Sequence, residues 1–169
     1  MNRGPAKYFG SAAIVPAVCA ASGPLRLPLT ILRNNPVTTI EIGGREVQIG
    51  VDTGGGKLGL TRETLTQAGA VELGADRAVW MDAEGRTHEA RRYLVPEIRV
   101  GGRSFSNLEA IEAKPIPNGP AVANALGREF LRQFIVIVDY PGLMITLAAA
   151  RNCGCRGSSI GMQRYPCAV

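Results

Sequence analysis

Aromatic residues make up only 5% of this 169-residue chain, and it has a single histidine and four cysteines. Four cysteines are too few for a miniprotein built on disulfides. No apolar run approaches the roughly 20 residues of a membrane-spanning helix. That excludes a multi-pass membrane protein, and no integral span is expected in the mature chain. Lysine is nearly absent: Lys7, Lys57 and Lys114 are the only copies. The formal net charge of +5 therefore comes from arginines scattered along the chain, and the densest pair, Arg91-Arg92, sits near Glu89 and Glu97. With no aromatic platform, helix-turn-helix or zinc-finger spacing, this charge does not form a nucleic-acid-binding face. His88 lies in an alternating polar stretch and reads as a solvated strand residue rather than a catalytic base.

Turn residues are abundant. Glycine numbers 21 and proline 11, while apolar residues reach 46% and charged residues 20%. This balance suits a globular chain of many short elements. Val37 to Ile42 is rich in β-branched residues, Gly43-Gly44 follows, and Glu46 to Val51 returns with Val47, Ile49 and Val51 on one face. That pattern predicts a β-hairpin with a two-residue turn. Thr61 is placed to cap a short helix that Gly69 ends. Ala78 to Met81 and Arg86 to Val95 read as strands around Asp82-Ala83-Glu84-Gly85, a four-residue loop closing with a glycine at positive φ. Pro96 to Val100 reads as a further strand, Gly101-Gly102 as another hairpin turn and Ser104 to Ala113 as its return. Pro115 to Pro120 reads as a rigid, exposed loop. Gly127 to Leu131 suggests one helical turn, Phe134 to Asp139 a buried strand, and Leu143 to Leu147 its partner. About eight short strands and two short helices, with frequent turns, predict a closed or nearly closed all-β architecture.

One strand carries chemistry. Ile49-Gly50-Val51 leads directly into Asp52-Thr53-Gly54, then Gly55-Gly56. An apolar strand thus delivers a carboxylate to its end, Thr53 can bond nearby backbone, and the glycines clear space for a close approach. The tripeptide alone is equally the signature of a hairpin-end turn. Its context is more specific. Further along stand Ala125-Leu126-Gly127-Arg128-Glu129-Phe130-Leu131 and Phe134-Ile135-Val136-Ile137-Val138-Asp139-Tyr140.

In these residues and their order, from Val37 to Leu147, the chain resembles the retropepsin-like aspartic proteases, especially the bacterial single-domain type. The resemblance implies a closed β-barrel of the acid-protease fold, an aspartic endopeptidase activity on peptide or protein substrates, and no cofactor or metal. It implies Asp52 as the catalytic residue, Thr53 and Gly54 in the active-site loop, and Asp82, Ala83, Glu84 and Gly85 at the tip of a substrate-covering flap, with Trp80 near it. Aspartic proteolysis needs two carboxyls sharing one proton. This chain has one Asp-Thr-Gly, so the second carboxylate is expected from a second copy in a C2 homodimer. Two departures stand out. Gly55 occupies a position where the family usually has Ala or Ser. Gly56 stands where retroviral relatives carry an acid that engages the arginine of the late helix, so Arg128 needs another partner, Glu129 or a backbone carbonyl.

The chain divides into residues 1–21, a candidate secretory signal; 22–36, a linker or outlying strand; 37–148, the protease-like domain; and 149–169, an irregular tail with Cys153, Cys155 and Cys167. Arg3 and Lys7 followed by a small, apolar stretch and Val18-Cys19-Ala20 support the signal, and with it an extracytoplasmic location; a floppy start in a cytoplasmic protein is the alternative. The tail spacing is poor for zinc, and in an exported chain one disulfide from Cys167 to either of the others fits better. The competing functional reading is a non-catalytic peptide-binding module, the truncated half of a tandem protein.

Overall fold

The computed structural model describes residues 23–81, 85–114 and 122–149. The amino-terminal segment, the tip residues Asp82, Ala83 and Glu84, the loop 115–120 and the cysteine-containing tail lie outside the described residues, as does the side chain of Trp80.

The expected first hairpin is β3 (Asn35–Ile42) and β4 (Arg45–Val51), in register from Val37↔Gly50 to Ile42↔Arg45. Its turn works because Gly43 and Gly44 both hold positive φ, 56° and 74°, the geometry whose twist matches the flanking strands. The second such hairpin joins β7 (Thr87–Val100) to β8 (Arg103–Glu112) through Gly101 and Gly102, at φ 55° and 79°. The segment from Pro96 is not a separate strand but the continuation of β7. β6 (Val71–Met81) pairs with β7 as far as Leu94, and β3 pairs with it at Ile98 and Arg99. Pro96 falls between these stretches, so its missing N–H costs no ladder bond on that side.

Helix α1 (Arg62–Gln67) begins where Thr61 Oγ1 accepts the Thr64 N–H, and it ends before Gly69 at φ 63°. It follows β5 (Leu58–Leu60), whose three residues are all buried. β9 (Ala125–Leu126) leads into α2 (Arg128–Leu131), then β10 (Phe134–Asp139) and β11 (Met144–Ala149). The stretch before β3 also contributes strands, β1 (Leu25–Pro28) and β2 (Thr30–Leu32).

One sheet runs β2-β3-β4-β9-β5-β8-β7-β6, and the added β3–β7 pairing closes its middle strands on themselves. The second sheet is β1-β11-β10. The fold is all-β with two short helices, as expected, and the eleven strands among the described residues exceed the expected eight because short pieces such as β5 and β9 carry little sequence period. The interior of the closed sheet is filled by Ile40, Ile42, Ile49, Leu60, Val95 and Ile98, all but sealed from solvent. Leu25 and Leu27 of β1 join the same core.

β10 corrects an expectation. It is an edge strand whose partner among the described residues is β11, and its alternating burial shows that only one of its faces packs inward. Phe134, Val136 and Val138 lie against the core, whereas Ile135 and Ile137 are 48% and 53% exposed.

Three rings fasten α2 to this frame. Phe105 and Phe130 meet edge-on at 5.0 Å, and Phe134 lies 6.0 Å from Phe105 and 5.5 Å from Phe130. Phe130→Ala removes the central ring from a buried site, so unfolding in urea should show a loss of about 3–5 kcal/mol. A loss below about 1 kcal/mol would mean that this cluster does not anchor α2.

Candidate active site

β4 alternates, with Ile49 turned into the core and Glu46 and Gln48 outward, and the same strand carries its last residues out to a loop. Ile49 is fully buried, Val51 partly, and Asp52 is exposed. β9 lies parallel to β4, with Gly50↔Ala125 and Val51↔Leu126 in register. The Gly50 N–H bonds the Asn124 carbonyl at 2.9 Å, and the Asp52 N–H bonds the Leu126 carbonyl at 3.2 Å. The backbone of Asp52 is therefore tied down at the point where its side chain leaves the sheet.

The loop then folds back on the carboxylate. Asp52 Oδ1 accepts the Gly54 N–H at 3.0 Å and the Gly55 N–H at 2.8 Å. A Cβ at Gly55 would lie 2.5 Å from Asp52 Oδ2. The departure from Ala or Ser at this position thus has a local reason: only glycine admits this placement of the carboxylate. Thr53 is exposed, and its hydroxyl bonds no described residue; the amides of Gly54 and Gly55 hold the loop instead.

Behind the loop lies the start of α2. The Arg128 N–H bonds the Gly55 carbonyl at 2.7 Å, and the Glu129 N–H bonds the Gly56 carbonyl at 2.8 Å. The approach is so close that a Cβ on Gly127 would run into the Lys57 peptide and come within 2.9 Å of the Gly56 carbonyl oxygen. This explains the Ala-Leu-Gly pattern physically: Ala125 and Leu126 form the strand wedged between β4 and β5, and Gly127 lets the loop dock. Arg128 engages the loop through its backbone. Its guanidinium has no partner among the described residues, because Glu129, one of the partners expected for it, pairs with Lys57 at 3.3 Å.

Sequence reasoning overlooked Lys57, Glu109 and Asn124. Lys57 Nζ also lies 3.1 Å from Glu109, which takes Arg92 Nε at 2.6 Å. Asn124 Oδ1 accepts the Thr61 N–H at 2.9 Å and its amide nitrogen donates to the Gln48 carbonyl at 3.3 Å, joining β4 to the cap of α1. No local pattern marks these residues, since their partners are distant in sequence.

The expected flap corresponds to the β6–β7 hairpin, with Ala78↔Ala90, Val79↔Glu89, Trp80↔His88 and Met81↔Thr87 in register. Gly85 has φ 79°, the positive value its turn position predicts, and open space around it. His88 is half-buried on β7, opposite Trp80. Asp139, another carboxylate at a strand end, accepts the Gly142 N–H at 2.9 Å and closes the β10–β11 turn.

A family model described as aspartyl protease matches residues 38–130, more than half of the chain, and the matched region includes Asp52 and Gly127. The chain belongs to the aspartyl protease family. Among solved structures it is similar to a retropepsin-like aspartic protease from Rickettsia conorii, at 18% identity and a TM-score of 0.54, over 76% of this chain and 94% of that one. The likeness confirms the retropepsin-like fold. No curated protein matches in sequence.

In this member of the aspartyl protease family the charges around the loop have a pH signature. Burial, the largest single influence on Glu109, pushes its pKa up, but the bonds and charges of Arg92 and Lys57 outweigh it and hold the carboxyl below its ordinary value of 4.5. A carboxylate lowered on folding stabilises the native state above its unfolded pKa, and that contribution disappears as pH falls through the folded value. Glu109→Gln should therefore lower the urea midpoint at pH 6, and the gap to wild type should close in acid, below the ordinary glutamate range. A gap independent of pH would show that the charge of Glu109 is not what matters.

Proposed function

We propose that this chain is an aspartic endopeptidase that works as a homodimer, each copy supplying Asp52 to one shared site. The observation that carries this reading is the state of Asp52: exposed, with one carboxylate oxygen held by two amides of its own loop and its backbone fixed to β9. A carboxylate so placed is oriented yet open on its outer side. Within one chain it is half of the required chemistry, and a two-fold axis beside it brings the same residue from the second copy.

In such a pair, like charges at close range cannot both ionise, so one proton is shared. The ionised carboxylate takes a proton from the bound water as the water oxygen attacks the scissile carbonyl carbon. The protonated carboxyl gives its proton to the carbonyl oxygen, forming a tetrahedral diol. As this collapses, a carboxyl proton passes to the leaving nitrogen, the C–N bond breaks, and one diol hydroxyl gives its proton to a carboxylate as the product carbonyl forms, which restores the shared-proton state. The β6–β7 hairpin would cover the bound peptide, with Gly85 letting its tip turn. Substrates are peptides or proteins in extended form. The basic and apolar character of residues 1–21 favours an extracytoplasmic enzyme.

The test mixes wild-type chain with Asp52→Asn chain. Mixed dimers keep one carboxylate, so added variant should suppress cleavage of an unstructured protein substrate beyond simple dilution, and the pure variant should be folded and inactive. The rate should follow a bell-shaped pH profile on the acid side of neutral, its limbs belonging to the pair. Activity that scales with wild-type chain alone would contradict a shared site. A folded wild-type dimer that binds peptide without cutting it would point instead to a peptide-binding module.

A further inference from the structure

Three consecutive glycines, Gly54 to Gly56, separate Thr53 from Lys57. Such a run gives the loop close approach at the expense of stiffness. Its backbone bonds to α2 come from the Gly55 and Gly56 carbonyls, and Lys57 is the one long side chain that follows them before β5. Lys57 is also one of only three lysines in the chain.

Its ammonium does not extend into solvent. It lies between Glu109 of β8 and Glu129 of α2, at 3.1 and 3.3 Å, and Glu109 is gripped from its other side by Arg92 of β7. Lys57 and Glu109 are only 25% and 24% exposed. An isolated exposed ion pair does little, but partly buried charges that share partners hold one another in place. This chain of charges joins four parts of the fold: the strand β7 that carries the hairpin, its neighbour β8, the catalytic loop and α2.

We propose that Lys57 is a positioning residue for the Asp52 loop, clamping its glycine-rich end to α2 through Glu129 and to the β7–β8 ladder through Glu109. It takes the place of a bond between the loop and the Arg128 side chain, which the glycine at position 56 does not provide. The role in catalysis rests on the protease reading above. The clamp itself does not, and it predicts a local stiffness that can be measured without substrate.

The test compares Lys57→Met, which keeps length and removes charge, with Lys57→Arg, which restores charge, in the full chain. Amide hydrogen exchange at Arg128 and Glu129, the donors to the loop carbonyls, should quicken about tenfold in Lys57→Met while core amides of β3 and β4 stay unchanged. Lys57→Arg should recover most of that protection. Cleavage by Lys57→Met should show kcat down about tenfold with KM nearly unchanged, because the displaced group is the carboxylate and not the substrate-binding surface. Removing charge from a distant surface pair, as in Arg99→Met, should alter neither. Unchanged exchange at Arg128 and Glu129, or an equal rise throughout the core, would overturn the clamp. Local loosening with unaltered kcat would overturn its role in positioning. If wild type cuts no peptide while the exchange pattern follows the prediction, the clamp stands and the protease reading falls.

Discussion

The candidate site depends on one close approach between two pieces of backbone. The loop after Asp52 lies against the start of α2, where the Arg128 and Glu129 N–H groups bond the Gly55 and Gly56 carbonyls. No side chain can intervene, and Gly127 is the residue whose missing Cβ makes room. Everything nearby follows from this contact. β9 must insert between β4 and β5 to bring Gly127 into place, Phe130 must be anchored among Phe105 and Phe134, and Lys57 emerges where its ammonium reaches two glutamates. A catalytic carboxylate requires placement to a fraction of an ångström, and backbone bonds supply it with less conformational freedom than side chains would.

The same contact explains why three glycines after Asp52-Thr53 are tolerated. Gly54 and Gly55 turn their N–H groups onto Asp52 Oδ1, and Gly55 has no room for a Cβ beside Oδ2. Flexibility of the unbound loop is countered from both ends, by the Leu126 carbonyl at Asp52 and by the ion pairs at Lys57. The long β7 then unites the two functions of the fold. Its first half pairs with β6 in the hairpin that is a candidate cover for substrate, and its Arg92 enters the charge network beneath the loop.

Features governed by neighbours in the chain were legible in the sequence. Gly43-Gly44 and Gly101-Gly102 announce their turns by torsion, Thr61 and Gly69 bracket α1, and the apolar run into Asp52 marks a strand end. The order of Asp52-Thr53-Gly54 and Ala125-Leu126-Gly127 pointed to the family because both pieces serve one contact. What escaped depends on distance in space. The Lys57–Glu109–Arg92 network joins residues far apart in sequence, and Asn124 works through the carbonyls and amides of other elements. β10 misled for a related reason. Its continuous apolar run suits a strand covered on both faces, yet only one face meets the core and Ile135 and Ile137 are left outward. Periodicity reports the character of a strand and not which neighbours it meets.

A single chain presents an oriented carboxylate and, in Asp139, another acid at a strand end that is occupied in closing its own turn. The central claim is that Asp52 finds its partner in a second copy of itself. The most direct measurement is a crystal structure of the protein with a peptide mimic carrying a hydroxyl in place of the scissile carbonyl. The account predicts a two-fold dimer in which the Asp52 carboxylates approach to about 3 Å and share a proton beneath that hydroxyl. A mimic held by one chain alone, or a dimer whose Asp52 carboxylates face away from each other, would contradict it.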